Sequence, residues 1–320
     1  MSTMARVLSG VGALACIFVF AGGSAYASHV TCGQTISQDT VLDSDLVDCP
    51  GDGLVIGAAN ITLDLGRHTI DGRGGSSGVS NDGSHDGITI ENGRIKQFEF
   101  AVDMYEANDV TVTGMVFTDI YSHAVLFVRG NNCALRNSIS RNGTGLVNPL
   151  ESTNCIIERN ASFNTGENRA ESIFLFKTRN ATVRWNFVSG AYRGIHVGSA
   201  QANVIKHNLL WGNVRGVDVF DSTDTQILWN AATNSKESGI HIWNDGVLGT
   251  EIFGTRIIGN IVRSNGDDGI HVDDADTFIA RNWANKNADL GIQAVPGVTD
   301  GGGNHARNNG NPAQCTNVAC

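Results

Sequence analysis

The sequence is short of charge, of cations and of sulfur. Charged residues make up 17% of it, below the ~25% usual for soluble domains. With 41% apolar residues beside that low charge, a disordered chain is excluded and a sizeable core must be buried. The 22 Lys+Arg are outnumbered by 32 Asp+Glu, and a net charge of −10 argues against nucleic acid or an anionic membrane surface as partner. No Cys-x-x-Cys pair and no Cys/His cluster with zinc spacing occurs, which excludes a structural zinc site. The one long apolar run, Val11 to Phe20, is too short to span a bilayer.

That run has the form of a secretory signal, with Arg6 before it and the small-x-small site Ala25-Tyr26-Ala27 after it. A lipoprotein reading on Leu14-Ala15-Cys16 fits less well, because the apolar stretch continues past the cysteine. A signal over residues 1–27 predicts a secreted, periplasmic or extracellular protein with no membrane span after cleavage. It also removes Cys16, leaving six of the seven cysteines. An even number in an exported chain points to disulfides. Cys32 with Cys49 and Cys315 with Cys320 are the local pairs that would close the two ends. Cys133 and Cys155 are either a third pair or buried free thiols.

What the sequence has in quantity is repetition. Gly194-Ile195-His196-Val197, Gly216-Val217-Asp218-Val219, Gly239-Ile240-His241-Ile242, Gly269-Ile270-His271-Val272 and Gly291-Ile292-Gln293-Ala294 are rewritings of one phrase. More degenerate copies start at Gly87, Ala101, Ala124, Gly145 and Ser172, and most successive copies are about 22 residues apart. Each copy has a second half ending in asparagine, at 137, 160, 186, 208, 230, 260, 282 and 304, which predicts one stacked Asn per repeat. Alternation of apolar and polar residues over short stretches is strand periodicity, with Gly or Asn at the corners. The L-x-x-L-x-L frame of a leucine-rich repeat is missing. The architecture that remains is an all-β parallel β-helix of about ten coils, a rod of ~50 Å at ~4.8 Å per coil. Residues 28–53 would form the N-terminal cap, 54–303 the solenoid and 304–320 the C-terminal cap, because a solenoid must close its ends.

The phrase Ile61-Thr62-Leu63-Asp64-Leu65-Gly66-Arg67-His68-Thr69-Ile70-Asp71-Gly72 is similar to the first-coil wording of the right-handed parallel β-helix repeat proteins. That superfamily includes pectate lyases, polygalacturonases, alginate C5-epimerases and NosD-like periplasmic proteins. The likeness runs over roughly residues 54 to 310 and implies the handedness, and a polysaccharide or other glycan as partner of a monomeric rod. It leaves the chemistry open, since one scaffold hosts many activities.

Inward-pointing Ile and Val of the repeated phrase leave the residue between them facing out. The outward column is then His196, Asp218, His241, His271 and Gln293, with Gly198, Phe220, Trp243 and Asp273 in a second column and Glu237, Asp267 and Asp268 just before the strands. Rings stack on pyranose faces and imidazoles or carboxylates move protons, so this face suits an extended sugar chain. The long interval between Gly239 and Gly269 adds a loop around Asn244 to Phe253 that would wall the face. The expected substrate contacts are Trp243, Phe220, Asp218, His196 and Glu237. A lyase or C5-epimerase needs a base, here His241 or His271, and a group to neutralise a uronate carboxylate. Arg256 could serve, or calcium held by Asp273, Asp274 and Asp276 beside Asp267 and Asp268. Asp267-Asp268 also resembles the carboxylate pair of polygalacturonases, which would make the chain a glycoside hydrolase. The Gly-His-Gly and Arg-Ile-Lys elements of those enzymes are absent, as is the Asp-Pro-His of alginate epimerases. Copper, by likeness to NosD-like proteins, finds almost no methionine after Met4 and histidines scattered along the rod. The alternative to an enzyme is a non-catalytic extracellular rod that binds glycan or protein.

Overall fold

A computed structural model describes residues 27–164, 170–244 and 253–320. The expected signal lies outside the described residues except for Ala27, and so does most of the loop from Asn244 to Phe253. Among the described residues every regular element is a strand, and the strands form three parallel sheets of 13, 12 and 12 members. One coil visits each sheet in turn, as in Thr182–Arg184, Phe187–Ser189 and Arg193–Gly198. Strands pair with their equivalents in the next coil, Val183 with Ile205, Val188 with Leu210 and Ile195 with Val217, with a register shift in the first coil, between Leu46 and Cys49. The result is a right-handed parallel β-helix.

The rod has about twelve coils, not ten. The segment expected as a simple N-terminal cap contains Gln34–Ile36, Thr40–Leu42 and Leu46–Cys49, a full coil whose first strand pairs Gln34 with Leu54. At the other end His305–Arg307 still pairs with Trp283–Asn285. Neither terminal coil carries the glycine phrase, so counting that phrase misses both.

Alternation fixes the interior. Val183, Val188, Ile195 and Val197 point inward and are fully buried, and the same positions in neighbouring coils continue each column. The glycine that opens the third strand is a spacing device: a Cβ on Gly239 would stand 2.8 Å from the carbonyl oxygen of Gly269 and 2.7 Å from Asn265. Any larger residue there would push adjacent coils apart.

The corner between the first two sheets holds the asparagine ladder. Asn186 donates from its backbone N–H and its Nδ2 to Oδ1 of Asn208, at 3.0 Å each, and from Nδ2 to the Ile157 carbonyl at 2.9 Å. Asn208, Asn230, Asn260 and Asn282 repeat the pattern to Asn304. Asn137 is not a rung. It takes the left-handed conformation used by the residue before each ladder asparagine, and Ser138 occupies the rung by donating its N–H to Asn160. A second, shorter ladder of Asn265, Asn287 and Asn309 lines the next corner. All three expected or possible disulfides are formed, Cys133–Cys155 joining equivalent positions 22 residues apart. No helix among the described residues is long and apolar enough to cross a membrane.

Removing one rung orphans a buried N–H and a buried carbonyl. Asn208→Ala is therefore expected to lower unfolding stability by about 1–3 kcal/mol, read from denaturant titration, whereas Lys206→Ala on the outer surface of the same coil should change it by less than about 0.5 kcal/mol.

Candidate functional site

The third sheet brings the outward column into one stack. Phe174, His196, Asp218, His241, His271 and Gln293 occupy successive coils in direct register. Outward does not mean exposed here. Asp218 is fully buried and His196 is 7% exposed, because their neighbours in the stack cover them. Phe174 lies flat on the His196 ring at 4.7 Å and 4°. His196 is thus packed beneath Phe174, its Nδ1 3.6 Å from Glu171 and its Nε2 3.9 Å from Asp218.

Asp218 is the hub. Its two oxygens meet Arg193 at 2.6 Å, Arg215 at 3.2 Å and Nδ1 of His241 at 3.0 Å. Burial alone would raise its pKa, but the His241 hydrogen bond and the charges of His196, Arg193 and Arg215 outweigh it and hold the carboxyl below its ordinary value. Arg193 also contacts Glu171 and Arg215 contacts Glu237, at 2.6 and 2.7 Å. Glu171 is held down at about 2 by His196 and Arg193 against partial burial. Glu237 therefore covers an arginine and does not reach for solvent alone.

His241 and His271 are the accessible end of this network. Their rings stand edge to face, 5.1 Å between centres. His271 is tied through Nδ1 to Asp268 at 2.8 Å, and its Nε2 lies 3.2 Å from both Asp273 and the Gln293 amide. The hydrogen bond with Asp268 and the charge of Asp273 raise the His271 pKa despite burial. In the adjacent column Trp243 and Phe220 meet at 4.5 Å, and the Trp243 ring runs nearly parallel to that of His241, 6.0 Å away. Both rings are half-buried and form a shoulder next to the two imidazoles.

Several expected residues land elsewhere. Arg256 opens the first strand of its coil, on another sheet, with its guanidinium 4.2 Å above the Phe278 ring. The third-sheet strand of His241 ends at Trp243 and Arg256 begins the next described strand, on the first sheet, so nearness in sequence to His241 does not bring it to the face. Asp273, Asp274 and Asp276 do not converge on one ion either. Asp274 accepts the Thr277 hydroxyl and the Asp276 N–H in a closed turn, while Asp273 faces the histidines. Asp267 is exposed and receives the Ser238 hydroxyl at 3.5 Å, and Asp268 is buried, accepting the Leu290 N–H as well as binding His271. A side chain so engaged is not free to serve as half of a hydrolytic carboxylate pair.

Arg193 and Arg215 were not anticipated. Their signal was present: the residue before the repeated glycine is Arg in two successive copies, and the two are in register. Nor are the histidines scattered at this point. His241, His271 and Asp273 each offer a ligand atom within 4.8 Å of the other two, and Asp273 lies 3.8 Å from Nε2 of His241 and 3.2 Å from Nε2 of His271. Both Nδ1 atoms are held by buried carboxylates, which turns both Nε2 atoms toward Asp273, with Gln293 also against that of His271; a carboxylate on Nδ1 is an arrangement found around metal-ligating histidines.

Raising pH titrates His271 from its ionised form, and its elevated pKa means that the stabilisation from Asp268 is present below pH ~6.5 and lost as pH climbs through the folded-state value. Asp268→Asn should shift the His271 titration, followed by NMR of its ring protons, back down toward the ordinary histidine range.

The profile of a family described as periplasmic copper-binding protein (NosD) matches residues 61–240 and 162–310. No curated protein sequence matches the chain. Solved structures with similar folds include the catalytic unit of a thermostable alpha-1,3-glucanase from Streptomyces thermodiastaticus, at 17% identity and TM-score 0.61, covering 86% of this chain and 63% of that one. The A-module of a mannuronan C-5 epimerase from Azotobacter vinelandii is 14% identical with TM-score 0.53, over 89% of this chain and 80% of that one. A surface adhesin of Streptococcus pneumoniae is 12% identical with TM-score 0.57, over 90% and 83%. The chain spans less than two thirds of the glucanase unit's length. At such identities the likeness is one of fold.

Proposed function

The chain belongs to the NosD family, and from that premise we propose that it is an exported protein whose His241–His271 face acts on an acidic polysaccharide by proton transfer. The observation that carries this reading is the pair of carboxylate-held imidazoles beside an aromatic shoulder, His241 on Asp218 and His271 on Asp268. A buried carboxylate on Nδ1 fixes the tautomer and orientation of a histidine base and stabilises the imidazolium that forms. In β-elimination, Nε2 of His241 takes the proton next to the uronate carboxylate, the carbon–oxygen bond to the leaving sugar breaks as the ring double bond forms, and protonated His271 gives its proton to that oxygen. Its raised pKa keeps His271 ionised to higher pH, so that it holds the proton this step hands to the leaving oxygen. Trp243 and Phe220 would seat the pyranose ring. Further support comes from the fold, which is shared with a mannuronan epimerase, a glucanase and a surface adhesin.

Incubation with pectate, alginate and glycosaminoglycans, followed by the ultraviolet absorbance of the unsaturated product, tests the reading. His241→Ala should lower turnover by at least ~10²-fold, the usual contribution of a general base, with unfolding stability kept. No turnover on any acidic glycan, with saturable binding lost in Trp243→Ala, would show a binding rod instead.

A second reading has its own observation, the gathering of His241, His271 and Asp273. Two imidazoles and one carboxylate suit Cu(II) or Zn(II); they do not suit the all-oxygen shell of calcium, nor Cu(I), which prefers thioether or thiolate. If a metal binds, His241 Nε2, His271 Nε2 and Asp273 would hold it, and it would supply Lewis-acid charge at the same face. Calorimetric titration with Cu(II) and Zn(II) is expected to give one site that His271→Ala abolishes and Asp273→Asn weakens by roughly tenfold or more. A metal that binds and also suppresses elimination would favour this reading over the first.

A further inference from the structure

The second sheet carries a face unlike the rest of this acidic protein. Towards the C-terminal end, Ile261, Trp283 and His305 stand in register in one outward row, and Arg263, Asn285 and Arg307 in the row beside it. Ile261, Arg263, Trp283, Asn285, Lys286 and Arg307 line an open trough of about 320 Å³. Trp283 is 44% exposed and Ile261 51%, both too open to be core. Three cations border the trough and no carboxylate does, in a chain with a net charge of −10. Among the described residues none of the three is ion-paired, whereas Arg193 and Arg215 on the neighbouring sheet are.

We infer that this trough is a binding site for an anionic sugar, separate from the histidine face. Trp283 sits in the middle coil with Arg263 one coil to one side and Arg307 one coil to the other, ~5 Å each way along the stack. Lys286 follows at the corner of the middle coil, and the Arg307 guanidinium lies 5.9 Å from the Trp283 ring centre. A flat indole flanked by cations matches a pyranose ring that bears a carboxylate or sulfate: the ring packs on the indole and the Ile261 side chain, and the anion meets the guanidinium groups. The same face continues to Leu209 and Trp211, exposed by 45% and 52%, so a longer oligosaccharide has further apolar contact along the rod. A nucleic acid strand fits less well. Its unbroken row of phosphates would run from this three-coil patch on to the acidic corner at Asp267 and Asp289.

This inference does not rest on the activity proposed for His241 and His271. Its test is calorimetric titration of the full chain with trigalacturonate and with a sulfated galactose disaccharide, which separate a carboxylate from a sulfate as the recognised anion, with neutral cellotriose and a short single-stranded DNA as controls. At least one anionic sugar should bind with an affinity that Trp283→Ala lowers by about tenfold. Trp283→Phe should retain most of it, and Arg263→Ser/Arg307→Ser should weaken it and flatten its dependence on salt. Titrations in the His241→Ala/His271→Ala background keep the histidine face out of the measurement, and Lys206→Ala, on another sheet, should leave the affinity unchanged. Unaltered affinity in a folded Trp283→Ala, equal affinity for cellotriose, or tighter binding of the DNA would each overturn the proposal.

Discussion

A stacked strand has no way of its own to turn a corner in a dry interior, because the turn leaves backbone donors and acceptors facing a hydrocarbon core. The amide ladders solve this. Each ladder asparagine accepts from the coil behind and donates both to the coil ahead and to a carbonyl of the coil behind, so the corner groups are paired chiefly along the axis, with a bond inside the coil added at Asn208 and Asn260. With polar demand met there, the rest of the interior can be Ile, Val and Leu, and three flat sheets can run the length of the rod. The low charge fraction follows from the same arrangement. Few side chains are needed to satisfy the inside, and the outside is divided among three faces that need not resemble one another.

Much of this was readable. Period, strand alternation, the glycine phrase and most of the asparagine column follow from spacing that any stacked coil must keep. Errors arose where a coil departs from the phrase. The first coil, over Gln34–Cys49, has no Gly-Ile-His wording, and only Thr40–Leu42 alternates cleanly; its strands still take their places in the three sheets, with a register shift between Leu46 and Cys49. Asn137 and Ser138 exchanged roles because an asparagine serves equally well in the left-handed corner and on the rung, and only the register tells the two apart.

The site was legible in its members and not in its depth. That His241, His271, Trp243 and Asp273 share a face follows from alternation and register. That Asp218 and His196 lie beneath other side chains does not, since burial on an outward face depends on how long the neighbours are and which way they lean. Arg193 and Arg215 fold over Asp218 from the start of their strands, and Phe174 covers His196 from the coil behind. Arg256 shows the converse: a cation close in sequence is carried to a different sheet within a single coil.

Cys133–Cys155 stands apart from the other two disulfides because it ties adjacent coils in the body of the rod. A solenoid held only by neighbour contacts gives way to a pull on its ends by peeling, one coil after another. A covalent tie between two interior coils shortens what such a pull can draw out: load reaching Cys133 or Cys155 crosses through the bond, and the 22-residue span between them stays out of the extended chain while it lasts. Pulled from both ends, such a rod would extend by less than its full contour until the bond is reduced.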